Sequence, residues 1–591
     1  MVEESRTTHD PTCPSESSPA VPDSGEDEPV VESASYGVDP YSIVSKISSV
    51  EMKKVSTQLE REMTKDREYS SAVVKFFEGK SVLVTGGTGF LGKVLVEKIL
   101  RSCPSVREVF LLLRAGRKGE TPEQRLRKML SESPFSYERD RHARVLSKVR
   151  AIAGDVSAPD LGLSPADRQL LISRVSIVFH SAANVTFKAT LAEAVETNLQ
   201  GTRRIIQLCK ELPDIQSFVY VSTAFCNCKV KGNIEEKVLD APCEPEWLID
   251  KVSSMSPEEL ENSSRSLMYG HPNTYTLTKL LAEQAISKER GSFPTAIVRP
   301  SIVMGALQEP MPGWVDNVNG ASAFLGGALY GVFRSILASD DAVADLVPSD
   351  LVVNQIITAA WSVNQSWDRT QSNEEDGCKG PLEVFHCTSG QVNPVTWGEF
   401  TSLGLELARQ NPCHGVVWYP AGKCRRSPLR NALATALLHT IPSRALEVLS
   451  KMKGSTEGSR LVRLQRAYYK GMQHTHFVTT RQWLFQGSNS ASLNRRLNEV
   501  DRLLFPSDPA AICWPSYLEK CVLGVRHFYL KQSPETLPKA RRAMKKLKRN
   551  YLVAQFLMFA FSLYFGIWLT GSFGFASITI AVMLTIALRA L

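Results

Sequence analysis

The sequence lacks the features of a secreted or zinc-binding protein. Its 12 cysteines are scattered through 591 residues, and the closest pair, Cys226 and Cys228, has neither the spacing nor the second half of a zinc site. The amino terminus has no basic start followed by an apolar core, so it does not resemble a secretory signal. We therefore expect a reducing compartment and no metal site.

The chain also carries little net charge. The net charge of +8 is small for a chain of this length, and much of the excess lies in one cluster, PKARRAMKKLKR, at residues 538–549. The position of this cluster is more informative than the total charge. We expect no nucleic-acid partner. The 43% hydrophobic content is that of a globular protein with ample core material.

Composition also suggests how the chain is divided. Residues 1 to about 40 are rich in Pro, Ser, Asp and Glu and bury too little apolar surface to fold, and a helix-compatible pattern follows at 41–65. The predicted segments are a tail with this lead-in helix (1–71), a nucleotide-binding reductase domain (72–400), a smaller helical domain (401–535), a basic segment (536–550) and a membrane anchor (551–591).

Six short apolar runs alternate with helical patterns in the larger domain. Val, Ile and Leu dominate these runs, as in parallel strands that are buried on both faces. The alternation predicts an α/β fold with a doubly wound, Rossmann-type parallel sheet. The polar stretch at 365–380 is predicted to be a surface loop. The six runs begin near residues 81, 107, 148, 175, 217 and 295.

The stretch VTGGTGFLG at residues 84–92 follows the first predicted strand and opens a helix. A dinucleotide pyrophosphate needs a tight turn, a close backbone approach and a helix amino terminus, and a Cβ would block each of these. The motif therefore predicts a dinucleotide site. Its predicted residues are Thr85, Gly86, Gly87, Thr88, Gly89, Phe90, Leu91 and Gly92.

The end of the second strand indicates which dinucleotide binds. An acidic residue there would bind the ribose of NAD, whereas arginine accommodates the 2′-phosphate of NADP. Here Arg114 ends the strand and Arg117 and Lys118 follow, with no acidic competitor, so we predict NADPH. Asp155 after the third strand is predicted near the adenine, and Ala182 and Ala183 after the fourth are predicted beside the cofactor.

Tyr275 and Lys279 lie one helical turn apart in NTYTLTKLLAE. A lysine on the same helix face places positive charge beside the phenol and is expected to lower its pKa from about 10, so that the tyrosine transfers a proton near neutral pH. A hydroxyl from the end of the fifth strand would hold the substrate oxygen. Ser222 and Thr223 are the two candidates there.

The glycine motif, the Ser/Thr strand end and Tyr-x-x-x-Lys, in this order, resemble the extended short-chain dehydrogenases/reductases. The resemblance implies that Tyr275 is the general acid and that Lys279 also holds the nicotinamide ribose. Thr223 would bind the carbonyl oxygen, with Ser222 as the alternative. Asn198 would support the lysine through water, or would be an amide on the helix surface.

Further motifs resemble the alcohol-forming fatty acyl-CoA reductases. They include VSTAFCN, GHPNTYTLTKLLAE, VRPSIVMGALQEPMPGWVDNVNG, VPSDLVVN, CTSGQVNPVTWGE and VVWYP, with the spaced Trp514, Tyr517, Gly524 and Arg526. The loop after Arg114 is one residue longer than the usual form, which leaves open whether Arg117 or Lys118 reaches the phosphate.

The resemblance implies reduction of a long-chain acyl-CoA to a primary alcohol by two NADPH, with one cofactor site used twice and release of CoA. The segment EPMPGWVDNVNG at 309–320 either lines the acyl or pantetheine channel or is a structural loop. Two other functions compete with this interpretation. One is a membrane-bound steroid or sterol dehydrogenase of the same superfamily, and the other is a non-catalytic membrane scaffold.

Residues 551–570 are uncharged and mostly apolar, long enough to cross a bilayer core of about 30 Å. GSFG interrupts the run, and 576–588 is marginal for a second crossing, so one span or a hairpin fits. Because basic residues stay on the cytosolic side, the catalytic domains are predicted to face the cytosol. The membrane is predicted to be peroxisomal or that of the endoplasmic reticulum, and membrane lipid is an expected partner.

Overall fold

A parallel sheet of seven strands organises the protein, which we describe from a computed structural model. The structure describes residues 70–116, 118–138, 146–371, 380, 382–452, 475–571 and 573–590, and the positions 454, 459, 462, 463, 465, 466 and 469. The described strands are β1 (Ser81–Thr85), β2 (Glu108–Leu113), β3 (Val149–Ala153), β4 (Val175–His180), β5 (Ser217–Val221), β6 (Asn233–Ile234), β7 (Thr295–Pro300), β8 (Ile302–Met304), β9 (Ser335–Leu337), β10 (Leu346–Pro348), β11 (Leu382–Cys387), β12 (Lys423–Arg425) and β13 (Leu484–Phe485).

The strand order in this sheet is β11-β7-β5-β4-β1-β2-β3, and all neighbours are parallel. The order reverses between β1 and β4, which is where doubly wound sheets open a crevice for a ligand at the carboxyl ends of their strands. The remaining pairs, β8 with β10, β9 with β12 and β6 with β13, form separate small sheets. The predicted Rossmann-type sheet is confirmed.

Apolar side chains fill both faces of the large sheet. In β1, Val82 and Val84 join one core cluster and Leu83 joins the other, because successive residues of a strand point to opposite faces. Residues of β2 alternate in the same way, with Phe110 and Leu112 on the side of Leu83. This two-sided burial explains why the sequence shows continuous apolar runs here.

Helices cover both faces and form most of the chain beyond residue 397. The described α-helices are α1 (Ala72–Phe77), α2 (Phe90–Ser102), α3 (Pro122–Ser131), α4 (Pro165–Arg174), α5 (Leu191–Ala194), α6 (Gly201–Glu211), α7 (Pro245–Ser254), α8 (Pro257–Leu267), α9 (Thr274–Glu289), α10 (Gly320–Tyr330), α11 (Ser349–Gln371), α12 (Trp397–Gln410), α13 (Pro428–Thr435), α14 (Ile441–Met452), α15 (His476–Thr479), α16 (Ser488–Arg496), α17 (Glu499–Leu504), α18 (Trp514–Gly524), α19 (Leu537–Thr570) and α20 (Phe575–Ala590). Three π-helical segments, Val195–Gln200, Ala436–Thr440 and Val525–Tyr529, continue α5, α13 and α18.

All six predicted strands are present, as β1 to β5 and β7. The predicted surface loop at 365–380 is wrong for its first part, because α11 continues to Gln371. One of its polar residues packs on β11, where the hydroxyls of Ser366 and of Ser362, one turn earlier in α11, donate hydrogen bonds to the Glu383 carboxylate over 2.7 and 3.0 Å. Residues 372–379 of the predicted loop lie outside the described residues. Sequence alone did not predict β11 itself. The predicted tail and lead-in helix lie outside the described residues, and the predicted domain boundary near 400 stays a prediction.

The basic cluster lies in the first turns of α19, and the apolar part of that helix is followed by the apolar helix α20. Among the described residues, one helix, Pro534–Thr570, is long and apolar enough to cross a membrane. The next helix, α20, packs back against it, and a Cβ at Gly566 would lie 2.7 Å from the Ser577 carbonyl oxygen. The two helices therefore form a closely packed hairpin whose approach requires a glycine.

Helix α18 interlocks with the loop at 309–320. A Cβ at Gly524 would lie 1.8 Å from the carbonyl oxygen of Gly313, and a Cβ at Gly313 would lie 1.9 Å from that of Lys520. Gly313 also has a φ of 72°, which side-chain-bearing residues rarely adopt. Beyond these glycines, the Tyr517 hydroxyl donates a 2.7 Å hydrogen bond to the Gly305 carbonyl.

We predict that Gly524→Ala lowers the free energy of unfolding by about 1–3 kcal/mol, because the added methyl overpacks a backbone contact that cannot open without moving α18. Gly326→Ala is the matched control, since Gly326 also lies in a helix and a methyl group there would lie 3.9 Å from its nearest neighbour. The midpoint of denaturant unfolding measures both. Equal midpoints for the two variants would contradict the predicted role of the close contact between Gly524 and Gly313.

Candidate active site

The glycine turn between β1 and α2 brings three backbone segments together. A Cβ at Gly92 would lie 2.2 Å from the Gly86 carbonyl oxygen, and a Cβ at Gly86 would lie 2.8 Å from the Ala182 nitrogen. Gly86 also has a φ of 71°. Helix α2 then starts after Gly89, with no side-chain cap on its first amides. The turn thus has the close backbone approach and uncapped helix amino terminus that a dinucleotide phosphate requires.

Thr85 and His180 tie together the ends of β1 and β4, the strands that flank the glycine turn. The Thr85 hydroxyl lies 2.7 Å from His180 Nδ1 and accepts a 3.1 Å hydrogen bond from the Ala182 amide. On its other side, His180 Nε2 lies 3.0 Å from the Thr202 hydroxyl. Burial, aided by the charge of Lys279, lowers the pKa of His180 to about 3. Ala182 therefore lies beside the glycine turn, on a backbone held by neutral side chains, and its contact with the cofactor stays a prediction.

Arg114 lies at the carboxyl end of β2, where its side chain is largely exposed. Its Nη1 is 3.9 Å from the Asp155 carboxylate, which also accepts hydrogen bonds from the Ser157 amide and hydroxyl over 3.0 and 2.7 Å. Lys118 is exposed in the following loop. Arg117 lies outside the described residues. The predicted choice between Arg117 and Lys118 therefore stays open.

Sequence reasoning missed Arg125, in the first turns of α3. Its guanidinium donates hydrogen bonds to the Arg114 carbonyl over 2.7 Å and to the Thr88 hydroxyl over 3.2 Å. Arg125 thus bridges the glycine turn and the basic strand end. The sequence did contain a signal for the position of Arg125. Thr121 and Gln124 form a capping box, which marks the start of α3 and places Arg125, the next residue, on that helix.

Helix α9 carries Tyr275 and Lys279. It begins at Asn273, whose side chain accepts a 2.9 Å hydrogen bond from the Thr276 amide. Lys279 is buried, and its Nζ donates a 2.7 Å hydrogen bond to the Val221 carbonyl and lies 6.0 Å from the centre of the Tyr275 ring. Burial lowers the pKa of Lys279 to about 7, although the Glu283 carboxylate acts in the opposite direction.

The structure corrects the expected pKa of Tyr275. Burial raises this pKa above the usual value, with a smaller contribution of the same sign from Cys226 and an opposing hydrogen bond with Thr223. The predicted lowering by Lys279 is not found, because the desolvated amine bonds to the Val221 carbonyl and lies 6.0 Å from the ring centre. Tyr275 is therefore held as the protonated phenol, the form that donates a proton.

The two hydroxyls at the end of β5 point to different surroundings. Thr223 lines a cavity together with Tyr275, and its hydroxyl accepts a 3.3 Å hydrogen bond from the Phe225 amide. The Ser222 hydroxyl is buried near the Cys226 thiol, has no hydrogen-bond partner among the described residues, and does not line this cavity. The geometry favours Thr223 over Ser222 as the residue that holds the substrate oxygen.

Asn198 lies in the π-helical segment before α6 and is buried rather than on the helix surface. Its Oδ1 accepts a 2.7 Å hydrogen bond from the Asn184 amide, and its Nδ2 donates to the Asn184 carbonyl and to the Thr278 hydroxyl over 3.2 and 3.0 Å. These contacts connect the loop of Ala183 to the residue that precedes Lys279. A water-mediated link to Lys279 itself stays a prediction.

A cavity of about 180 Å³ opens beside Tyr275 and Thr223, and its walls are mostly apolar. Of the segment at 309–320, only Gly320 lines it, whereas Trp314 is buried and stacks on Phe90 at 5.6 Å. Most of that segment therefore lies outside the walls of this cavity, and its role in the acyl or pantetheine channel stays a prediction. The remaining lining residues, which sequence reasoning missed, are Phe187, Phe225, Thr276, Ser301, Ile302, Ala321, Phe324, Ile336, Trp397, Thr475, Phe477, Val478 and Thr479.

The parallel sheet, the glycine turn and the Tyr-x-x-x-Lys helix define an oxidoreductase with a nicotinamide cofactor. Two family models, both described as male sterility protein, match residues 84–356 and 438–532, the first being an NAD-binding domain. Human fatty acyl-CoA reductase 1 is 35% identical over 477 residues, covering 81% of this chain and 90% of that protein. A putative fatty acyl-CoA reductase of Drosophila melanogaster is 35% identical over 487 residues, or 82% and 93%. The chain belongs to the fatty acyl-CoA reductase family.

Solved structures are more distant. The terminal reductase domain of the myxalamid biosynthetic pathway is 18% identical with a TM-score of 0.47, covering 80% of this chain and 98% of that one. The reductase domain of a nonribosomal peptide synthetase from Mycobacterium tuberculosis is 17% identical with a TM-score of 0.48, covering 77% and 93%. Family membership shows the chain to be an oxidoreductase of the fatty acyl-CoA reductase family, so the steroid dehydrogenase and the scaffold are set aside.

We predict that the free energy of unfolding falls as the pH drops from about 6.5 toward 3, with a contribution from His180. Its pKa is about 3 when folded and 6.5 when exposed, so the unfolded chain binds more protons in this window. His180→Gln removes that titration and should flatten the dependence, by at most about 1.4 kcal/mol per pH unit. Chemical denaturation at several pH values measures it, and identical slopes for variant and wild type would refute the assignment.

Proposed function

We propose that this enzyme reduces long-chain acyl-CoA to the primary fatty alcohol with NADPH and releases CoA. The observation that carries the proposal is the apolar cavity, whose aromatic and aliphatic walls end at the hydroxyls of Thr223 and Tyr275. An acyl chain would occupy the apolar part, and its carbonyl would meet the two hydroxyls. The fatty alcohol would feed lipid synthesis of the wax or ether-lipid type.

In the proposed mechanism, Thr223 orients the carbonyl oxygen by a hydrogen bond. When bound, the nicotinamide supplies hydride to the carbonyl carbon. Reduction of the thioester gives a hemithioacetal, whose C–S bond breaks to release CoA thiol and leave an aldehyde in the cavity. A second reduction of this aldehyde gives the alcohol, and Tyr275 donates the proton to its oxygen. The buried amine of Lys279 would hold the nicotinamide ribose and replace the proton on Tyr275.

The preference for NADPH is proposed from the basic groups beside the glycine turn. Arg114 stands at the strand end where a 2′-phosphate is recognised, and Arg125 is held beside it by the Arg114 carbonyl and the Thr88 hydroxyl. Two guanidinium groups suit the planar, bidentate recognition of a phosphate. The partly exposed Asp155 is the acidic group nearest to Arg114 and binds Ser157.

We also propose that the hairpin of α19 and α20 anchors the enzyme in a membrane, with the catalytic part on the cytosolic side. The support is the apolar length of the first helix and the cluster of Lys and Arg that precedes Tyr551. This placement suits a soluble cofactor and a product that partitions into lipid. The peroxisomal membrane and the endoplasmic reticulum both agree with the proposal.

The first test uses the full-length enzyme in membranes, supplied with NADPH and a panel of acyl-CoAs. Tyr275→Phe should lower fatty alcohol formation by about 10²- to 10⁴-fold, because it removes the proton donor while keeping the ring. Tyr269→Phe is the control, since Tyr269 lies outside the cavity and should keep wild-type activity. Undiminished alcohol formation by Tyr275→Phe would refute the catalytic assignment, and no alcohol from any acyl-CoA would refute the reaction.

The strand-end hydroxyls give a further prediction. Thr223→Val should lower the rate with both acyl-CoA and aldehyde substrates, because the carbonyl oxygen loses a hydrogen bond in both reductions. Ser222→Ala should keep most of the activity, since Ser222 faces Cys226. Steady-state rates with the two substrates measure the effect. The opposite ranking of the variants would assign the role to Ser222.

Cofactor choice is tested by Arg114→Ala and Arg125→Ala. Each should raise the KM for NADPH roughly tenfold or more and leave that for NADH nearly unchanged, because one charge-assisted hydrogen bond contributes about 1.5–3 kcal/mol. Arg127→Ala is the control, an exposed arginine of the same helix. Equal use of both cofactors by wild type would contradict the proposed NADPH preference.

A further inference from the structure

The helical segment at 428–452 carries an apolar stripe on its exposed side. It consists of α13, the π-helical residues Ala436–Thr440 and α14, and its stripe residues recur every three or four positions except between Ile441 and Val448. Such spacing places them along one side of a helix. The outward stripe, with exposed fractions, is Leu429 (79%), Leu433 (44%), Leu437 (38%), Ile441 (58%), Val448 (58%) and Met452 (79%).

Among the positions of this segment whose side chains the structure describes, the buried ones are small or polar. Ala434 and His439 are fully buried and Ser443 nearly so, and His439 Nδ1 lies 2.6 Å from the side-chain nitrogen of Gln465. A surface helix of a soluble domain has the reverse arrangement, with apolar residues inward and polar residues outward. Apolar side chains left outward in this number indicate a surface that is covered by an apolar environment.

The membrane helix leaves the body of the protein close to this segment. The ring of Tyr551, where the apolar run of α19 begins, stacks on Tyr419 at 5.2 Å, and Arg541 donates a 2.9 Å hydrogen bond to the Gln410 carbonyl. From Tyr419 the chain passes through β12 into α13, which begins at Pro428. The outward stripe therefore starts within ten residues of the contact with the membrane helix.

Basic side chains accompany the stripe. Arg444 and Lys451 lie in α14 with 61% and 65% of their side chains exposed, at 3.9 and 3.1 Å from the Glu447 carboxylate that they share, and Arg430 is exposed in α13. Basic residues beside apolar ones are typical of helices that lie in a membrane interface and attract anionic headgroups.

We propose that the segment at 428–452 is a second membrane contact. Its outward stripe lies at the boundary of headgroups and acyl chains, in the bilayer that the hairpin of α19 and α20 enters, so the inference rests on the proposed membrane anchoring. The segment also packs against a strand that lines the cavity, because the Asn431 side chain accepts a 2.5 Å hydrogen bond from the Ser335 hydroxyl of β9. Strand β12 pairs with β9, whose Ile336 lines the cavity, and the Leu337 carbonyl accepts a 2.7 Å hydrogen bond from Thr479 of the same wall. The apolar cavity is thereby held near the lipid that contains its long-chain substrate and product.

The test measures membrane depth in the full-length protein, reconstituted in nanodiscs of phosphatidylcholine and phosphatidylserine. A nitroxide amino acid is introduced genetically at Ile441, at Val392 as an exposed apolar control, or at Phe556 in the membrane helix; these residues are 58%, 58% and 68% exposed. Collision with oxygen, which concentrates in lipid, is compared with collision with a water-soluble nickel chelate. We expect the ratio at Ile441 to be severalfold higher than at Val392 and closer to that at Phe556.

The outcomes separate the two proposals. A water-like ratio at Ile441 with a lipid-like ratio at Phe556 would overturn the second contact and leave the anchor intact. A water-like ratio at Phe556 would overturn the anchor, and the label at Ile441 would then decide the second contact by itself. Protection of Ile441 from both reagents, with a short distance between labels in two copies by double electron–electron resonance, would assign the stripe to dimer formation and overturn the membrane contact.

Discussion

The buried ion pair between Glu283 and Arg299 is the interaction on which the active site depends. Neither side chain is exposed, and the guanidinium donates to both carboxylate oxygens over 2.9 and 2.6 Å. The remaining Arg299 donors reach the carbonyls of Glu235 and Lys237, at 3.2 and 2.8 Å, and lie 3.1 Å from His386. Loss of one partner from such a pair typically costs about 3–5 kcal/mol, because the other charge is left buried without compensation.

This pair positions the helix that carries the reactive groups. Tyr275, Lys279 and Glu283 follow one another at intervals of four along α9, so fixing Glu283 against β7 also fixes the two residues above it. The Cys226 thiol donates to the Glu283 carboxylate over 3.3 Å and connects the end of β5 to the same group. The buried ion pair therefore decides which face of α9 packs against the sheet. The buried amine of Lys279 lies on the same face of the helix, one turn from Glu283.

The same arginine reaches the residues that complete the cavity. His386, beside Arg299, lies 2.6 Å from the Gln486 carbonyl, and β13 next to it pairs with β6. This pairing brings the carboxyl-terminal half of the chain over the sheet edge, where Phe477 and Thr479 form one wall of the cavity. The proposed substrate cavity and the segment with the outward stripe are thus close in the fold, because β9 lines the cavity and contacts that segment.

Local patterns in the sequence were sufficient to predict the sheet and the residues at the carboxyl ends of its strands. Each of these patterns, namely the glycine spacing, the apolar runs and Tyr-x-x-x-Lys, depends on residues that are close together in the sequence. The strands β1 to β5, the glycine turn and the pair on α9 were therefore all predictable from them. Strand β11, Arg125 and most of the cavity were not, because their partners are distant in sequence. Tertiary structure alone decided that Thr223 rather than Ser222 faces the cavity, that burial outweighs the lysine charge at Tyr275, and that the outward stripe of the segment at 428–452 is exposed, because each outcome depends on what packs against the residue.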